Sequence, residues 1–293
     1  MAGPPAWNEV AARLARVLGE PVSGGLPLTP GWSSRMTWAA RGERTGPLVV
    51  KARRGERAYQ KTAWCAARLP LLGARGYPVP AIIWHGMARG QWHLTVQSRL
   101  PGHPVTMLDE RLLEEVLQLV ERQAGAGIPA GGRDFTSYIA NVLFDDWDQV
   151  WADAARAGAA AGPLCARIRR WLRPAWGLRL PPADYAHNDL NLSNILTDGE
   201  KISGVVDWDE FGLGSRALDL ITLALDCQRR GARAAAGRLL AAAESAAGGA
   251  GLRCLVSYRA LAVLAEDARE DYPAQAEIQA ISAVLDGLRA PGP

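Results

Sequence analysis

The 293-residue chain reads as an α+β protein: a small antiparallel β-sheet portion with one helix, followed by a larger, mainly helical portion. Between residues 22 and 98, short apolar runs are separated by turns rich in Gly and Pro, the pattern of strands. Between residues 109 and 289, apolar residues recur at spacings of three and four, the pattern of helices. Pro101-Gly102, after Arg99-Leu100, is the sharpest break in composition between them. The expected division is therefore residues 1–99 and 100–293, with the boundary near 98–104.

In chain order, Val10, Leu14, Val17 and Leu18 share one face of a leading helix over residues 6–19, and Gly19 suits its stop. Three antiparallel strands follow: one around Leu26-Pro27-Leu28, one at Met36-Thr37-Trp38-Ala39 and one at Leu48-Val49-Val50-Lys51, separated by turns at 29–34 and 41–46. Residues 56–72 place Ala58, Thr62, Cys65, Ala66, Leu69 and Leu72 on one helical stripe, which Gly76-Tyr77-Pro78-Val79-Pro80 closes. A second strand pair spans 81–84 and 92–96. The second portion carries helical patterns at 109–124, 133–157, 163–173, 216–229, 232–247, 252–270 and 274–289, with a break at Gly248-Gly249.

Composition restricts the function. With 48% apolar and 22% charged residues, the chain is an ordinary globular protein. Its net charge is only +3, and 33 basic residues are interspersed with 30 acidic ones, which argues against a nucleic-acid binder. Cys65, Cys165, Cys227 and Cys254 are far apart, form no C-x-x-C pair and read as reduced core thiols. No secretory signal pattern opens the sequence, and no uninterrupted apolar run of membrane-spanning length is visible. The expectation is a cytoplasmic protein with no membrane partner, a monomer or a homodimer.

The chemistry concentrates in residues 185–211, YAHNDLNLSNILTDGEKISGVVDWDEF. Asp189 precedes Asn194 by five residues, and the apolar run 202–206 ends at Asp207. Two carboxylates and a carboxamide on a loop and at a strand end are hard oxygen ligands suited to magnesium nucleotide chemistry. In the first portion, the turn containing Gly31, Ser33 and Ser34 offers backbone N–H groups and hydroxyls to phosphate oxygens, and Lys51 offers a point charge. A plain Gly-Ser turn and a lysine extending from a strand end would contain the same residues.

At these residues the sequence resembles the aminoglycoside phosphotransferase and choline kinase family, of protein-kinase-like fold. HNDLNLSN is similar to its H-G-D-x-x-x-x-N loop, GVVDWDEFGLGSRALDL to its metal-aspartate strand and following helix, and GARGYPVP to its G-x-P-V-P link. The resemblance runs from about residue 22 onward and is strongest over 185–220. It implies a two-lobed phosphotransferase using ATP, or GTP, with Mg²⁺. It assigns Asp189 to the acceptor hydroxyl, Asn194 and Asp207 to the metal, and Lys51 to the α/β-phosphates. It also places Gly31, Ser33 and Ser34 over the β/γ-phosphates, and the backbone of Ser98, Arg99 and Leu100 against the adenine. His187 and Asp219 would shape and brace the loop.

The sequence departs from the family at two places. The lysine's usual partner is a glutamate in the following helix; here the helix has only Glu56, roughly opposite the apolar stripe, and the corresponding positions are Cys65 to Ala67, leaving Gln60 as the available substitute. Gly214-Ser215-Arg216 stands where G-D-P is frequent. The resemblance implies a small, cationic acceptor such as an aminoglycoside or a basic peptide antibiotic, held by acids. Asp145, Asp146 and Asp148, with Trp147 and Trp151 alongside, form one candidate set, and Glu266, Asp267 and Glu270 another. A solvated helix face with core tryptophans would look the same. Asp209 reads either as a second metal ligand or as a turn acid. A peptide Ser/Thr kinase and a catalytically weak nucleotide-binding protein are the alternative readings.

Overall fold

A buried strand lysine needs a sheet to carry it, and the first unit supplies one. The computed structural model describes residues 5–28, 36–88, 90–127, 134–145 and 147–288. The chain forms two compact units: Met1–His103 with Ser203–Asp209, and Pro104–Ile202 with Glu210–Pro293. The segment Ser203–Asp209, expected from the sequence in the helical portion, belongs instead to the first unit.

In the first unit, α1 (Trp7–Leu18) ends at Gly19 in the left-handed region, with φ +67°, a conformation that glycine adopts without a Cβ penalty. The strands β1 (Val22–Pro27), β2 (Met36–Gly42), β3 (Gly46–Arg54), β4 (Ile82–Met87) and β5 (Trp92–Ser98) form one antiparallel sheet, ordered β1-β2-β3-β5-β4. Helix α2 (Glu56–Gly73) packs on β3, β4 and β5. Leu48, Val50 and Ala52 alternate along β3 into a core with Val10, Leu14, Trp38, Leu94 and Val96. Because side chains alternate across a strand, Lys51 lies on the opposite face, where its cross-strand neighbour Thr95 meets Thr62 of α2 through their hydroxyls at 3.2 Å.

Ser203–Asp209 is fastened to this unit by backbone and side chain. Val205 N–H donates to Pro78 O at 2.8 Å, Cys65 Sγ donates to Trp208 O at 3.4 Å, and the Trp208 ring meets Tyr77 edge-on. Gly204 is required by close approach: a Cβ there would lie 2.7 Å from Leu100 Cδ1.

The second unit begins at Pro104, the second residue of β6 (His103–Pro104), and is mainly helical: α3 (Glu110–Glu121), α4 (Phe135–Phe144), α5 (Val150–Ala155) and α6 (Ala161–Leu172) precede the loop region. Asp109 caps α3 through Leu112 N–H, and Asp134 caps α4 through the N–H groups of Thr136 and Ser137. The pattern over 133–157 predicts one helical stretch, but the described residues there form α4 and α5 separated by a 3₁₀ turn at Trp147–Gln149, with Gln149 at φ +53°. Then come β7 (Asp184–Ala186), β8 (Ile195–Thr197) and β10 (Gly212–Gly214), while β9 (Ile202–Val205) falls mostly in the first unit; β7 pairs antiparallel with β10, setting Ala186 opposite Gly212.

Helix α7 (Arg216–Arg229) is almost wholly buried against α8 (Arg233–Glu270) and α9 (Gln275–Gly287). Gly248 interrupts α8 with φ +70°, where the sequence predicts a break. By length and composition α8 could cross a membrane, although charged residues such as Glu244 interrupt its apolar run; in the fold it packs against α4 to α7 and α9.

One core charge carries a measurable consequence. Asp267 on α8 is 1% exposed, both carboxylate oxygens are unpartnered among the described residues, and burial pushes its pKa up to about 6. A carboxyl raised from 3.8 holds its proton in the folded state, so its contribution is fully present below pH 3.8 and is lost as pH rises through about 6. Asp267→Asn should flatten that dependence and raise stability at pH 8 by about 1–3 kcal/mol. Urea titrations at pH 5 and pH 8 check this; equal pH dependence in both proteins would contradict it.

Candidate active site

In the first unit, the strand register delivers Lys51 to the face shared with the end of β9. Its Nζ donates to Asp207 Oδ1 at 2.6 Å and to Asp209 Oδ1 at 3.1 Å. Asp209 Oδ2 also accepts from Arg53 Nε at 3.1 Å. Burial works against the Lys51 charge, but the two carboxylates outweigh it and its pKa is raised; the Lys51 charge in turn holds Asp207 below the usual carboxylate range. Asp207 itself sits in the left-handed region at φ +64°, uncommon for a residue with a side chain and enriched at functional turns.

This arrangement answers the question left by the missing helix glutamate. Gln60 does not stand in: its Nε2 donates to Glu56 on the same helix, and Lys51 takes its partners from the segment after β9. Asp209 is engaged as the shared counter-ion of Lys51 and Arg53. Ser98, Arg99 and Leu100 follow β5. The N–H groups of Ser98 and Arg99 are spent on Ala81 O and Pro47 O, so Leu100 keeps the N–H not committed to backbone among the described residues. Gly31, Ser33, Ser34 and Asp146 lie outside the described residues, as does the side chain of Asp148.

In the second unit, a buried carboxylate organises the loop after β7. Asp219, in the first turn of α7, accepts from His187 N–H and Asn188 N–H at 2.8 Å each and from Gln123 Nε2 at 2.9 Å. Burial raises its pKa in spite of these bonds. Asn188 turns the chain at φ +65°, and its Nδ2 donates to Ala186 O and Glu210 O. Asp189 follows, its N–H directed to His187 Nδ1 at 3.3 Å and its carbonyl accepting from Asn194 Nδ2 at 2.9 Å. With Nδ2 so used, Asn194 has its Oδ1 to offer a cation.

Further out, Asp226 accepts from Leu192 N–H, and Asp184 accepts from Gly125 and Arg216 N–H. The sequence reading missed Asn188, Gln123 and Arg259, whose Nη2 donates to Asp189 Oδ1 at 3.0 Å. The polar residue between His187 and Asp189 was a visible signal for the first; Gln123 and Arg259 lie 66 and 70 positions from Asp189, and no local pattern marks them.

The expected acceptor residues fare unevenly. Asp267 is buried and cannot present its carboxylate to a solute, and Trp151 is buried with the Arg169 guanidinium over its ring at 4.7 Å. Trp147 is 56% exposed and rests edge-on against Tyr138. Asp145, Glu266 and Glu270 are exposed, Asp145 lying 3.9 Å from Arg179. Among the described residues no three His, Cys, Asp or Glu side chains converge as a metal cage. Asp207 in the first unit and Asn194 in the second each carry an oxygen donor of the kind magnesium takes.

Asp219→Ala would strand two buried backbone N–H groups and should cost about 2–4 kcal/mol. Asp219→Asn, which keeps one acceptor oxygen, should cost less. Chemical denaturation of the three proteins orders them; an alanine variant as stable as the parent would remove the brace.

A sequence model of the phosphotransferase enzyme family matches residues 25–255, more than half of the chain. No curated protein matches it significantly by sequence. Among solved structures, a thermostable mutant of aminoglycoside phosphotransferase APH(4)-Ia is similar with a TM-score of 0.66 at 19% identity, over 96% of this chain and 100% of the other. Aminoglycoside 2'-phosphotransferase-IIIa in its GDP complex gives 0.62 at 14% identity, over 96% and 97%. A putative fructosamine-3-kinase from Thermobifida fusca gives 0.65 at 18%, over 97% and 99%. These likenesses show the protein-kinase-like α+β fold, and with the family match over residues 25–255 the chain belongs to the phosphotransferase enzyme family.

Proposed function

We propose that this phosphotransferase moves the γ-phosphoryl group of ATP to a hydroxyl of a small, polyhydroxylated and cationic acceptor of the aminoglycoside kind. The observation that carries the reading is the buried Lys51 paired with Asp207 on the first unit's sheet, which prepares a cation and a metal-seeking carboxylate side by side. Solved relatives bound to hygromycin B or kanamycin support an antibiotic-like acceptor, and a relative bound to GDP makes GTP the competing donor. Asp145, Glu266 and Glu270 are the exposed acids available to acceptor ammonium groups.

In the reaction, the acceptor oxygen forms a bond to the γ-phosphorus as the bond from that phosphorus to the bridging oxygen of the leaving nucleotide breaks. Asp189 orients the hydroxyl and takes its proton. Lys51 binds phosphate oxygens of the donor, and the Leu100 N–H and neighbouring carbonyls face its base. Asp207 and Asn194 are the residues that would hold magnesium, which when bound supplies positive charge to the phosphate oxygens.

Positioned proton acceptance is worth roughly 10²–10⁴ in rate, or about 3–5 kcal/mol. Asp189→Asn should therefore reduce kcat by that factor while nucleotide affinity, read by calorimetry, stays within about threefold. The assay is ATP or GTP consumption with an aminoglycoside panel, and mass spectrometry of the acceptors for an added phosphoryl group. Wild-type turnover by the variant would reject Asp189 as the proton acceptor, and absence of a phosphorylated acceptor would reject the acceptor class.

A further inference from the structure

Every loop contact made to Asp189 holds its backbone. Asn194 Nδ2 and Asn191 Nδ2 donate to its carbonyl, and its own N–H points to His187 Nδ1. These bonds decide where the residue sits in the loop, but they leave the carboxylate free to turn, since the terminal torsion of an aspartate has a broad profile. Among the described residues, the one side chain hydrogen-bonded to that carboxylate is Arg259, from the half of α8 that follows Gly248. Its Nη2 engages Oδ1 at 3.0 Å, and among the described residues no hydrogen bond reaches Oδ2.

The burial of the two partners is unequal, and that decides what the pair is for. The Arg259 side chain is 17% exposed and the Asp189 side chain 38% exposed. Arg259 is thus a sheltered, fixed donor reaching a carboxylate that faces solvent. Such a partly exposed pair contributes little to stability. Its effect is orientational: a planar guanidinium that remains charged throughout clamps one oxygen and leaves the other. Tyr258, next in the chain, is buried, and its hydroxyl is pushed up by that burial, so the ring beside Arg259 stays neutral.

We propose that Arg259 is a positioning residue for phosphoryl transfer: it holds Asp189 by Oδ1 so that Oδ2 is presented to the acceptor hydroxyl and receives its proton. Arg259 itself gains and loses no proton. The proposal rests on the reading of Asp189 as proton acceptor.

The test uses the full chain with ATP and magnesium, an aminoglycoside panel, and water as the acceptor in its absence. Arg259→Ala should lower kcat about 10- to 100-fold with the KM for ATP unchanged and the melting temperature within a few degrees. Arg259→Lys should recover part of the loss. Added guanidinium ion should restore Arg259→Ala several-fold, while urea at the same concentration should not, and neither should rescue Asp189→Asn. Wild-type kcat in Arg259→Ala, or equal rescue by urea, overturns the proposal alone.

A second readout does not depend on turnover: the guanidinium NMR signals of Arg259 should change in Asp189→Asn. Unchanged signals mean that the pair does not form and overturn the proposal whatever the activity. A wild-type protein that binds ATP yet transfers phosphate to no acceptor and not to water overturns the functional reading, and the role of Arg259 with it.

Discussion

An ammonium buried on a strand must be neutralised where it lies, and much of the first unit follows from that requirement. Lys51 is 7% exposed, on the sheet face opposite the Leu48–Val50–Ala52 core stripe. Removing an unpaired charge from water to such a place would cost several kcal/mol. The chain meets the requirement by bringing Asp207 and Asp209 back to it from a point more than 150 residues later. To do so, Ser203–Asp209 folds with the first unit, Gly204 lets the strand pass against Leu100, and Asp207 accepts a left-handed backbone. The local strain is held by the ion pairs and by the Val205 and Trp208 hydrogen bonds on either side.

The second unit solves the inverse problem with a buried anion. Asp219 is fully buried and the donors it collects are the peptide N–H groups of His187 and Asn188. A loop that must keep Asp189 at a defined position cannot rely on a strand ladder, which ends at Ala186. A carboxylate at the start of α7 supplies the missing acceptors, and Asp226, two turns on, supplies another for Leu192. The helix thereby sets the loop's backbone on both sides of Asp189. The helix is almost entirely buried, so its own position is fixed by packing.

Period and spacing made the architecture legible. The strands of 36–54 and the amphipathic helix 56–73 follow from alternation and from the 3.6-residue period, and the Gly248 break from a glycine pair. What could not be read was the direction of individual polar side chains. In AEDARED, Glu266 and Glu270 are exposed while Asp267 between them is buried, because neighbours on a helix point about 100° apart and packing decides which face is lost. The partner of Asp209 and the whole of Arg259 escaped for a related reason. A charge acquires its role from a partner that is distant in sequence, Arg53 in one case and Asp189 in the other, and no local pattern records such a meeting.

The Lys51 set has a further consequence for the donor. Lys51 and Arg53 bring two positive charges, Asp207 and Asp209 two negative ones, and the four are joined by hydrogen bonds of 2.6–3.1 Å. The group is already balanced. Both carboxylates come from the segment after β9, Asp207 and then Asp209 from the turn that follows it. A nucleotide triphosphate drawing Lys51 toward its phosphates would leave Asp207 less neutralised and would add anionic oxygens beside it. Both charges are relieved by a cation arriving with the phosphates, while Asp209 retains Arg53. On the proposed reading, this charge arithmetic favours the magnesium nucleotide over the free nucleotide as the ligand of the first unit.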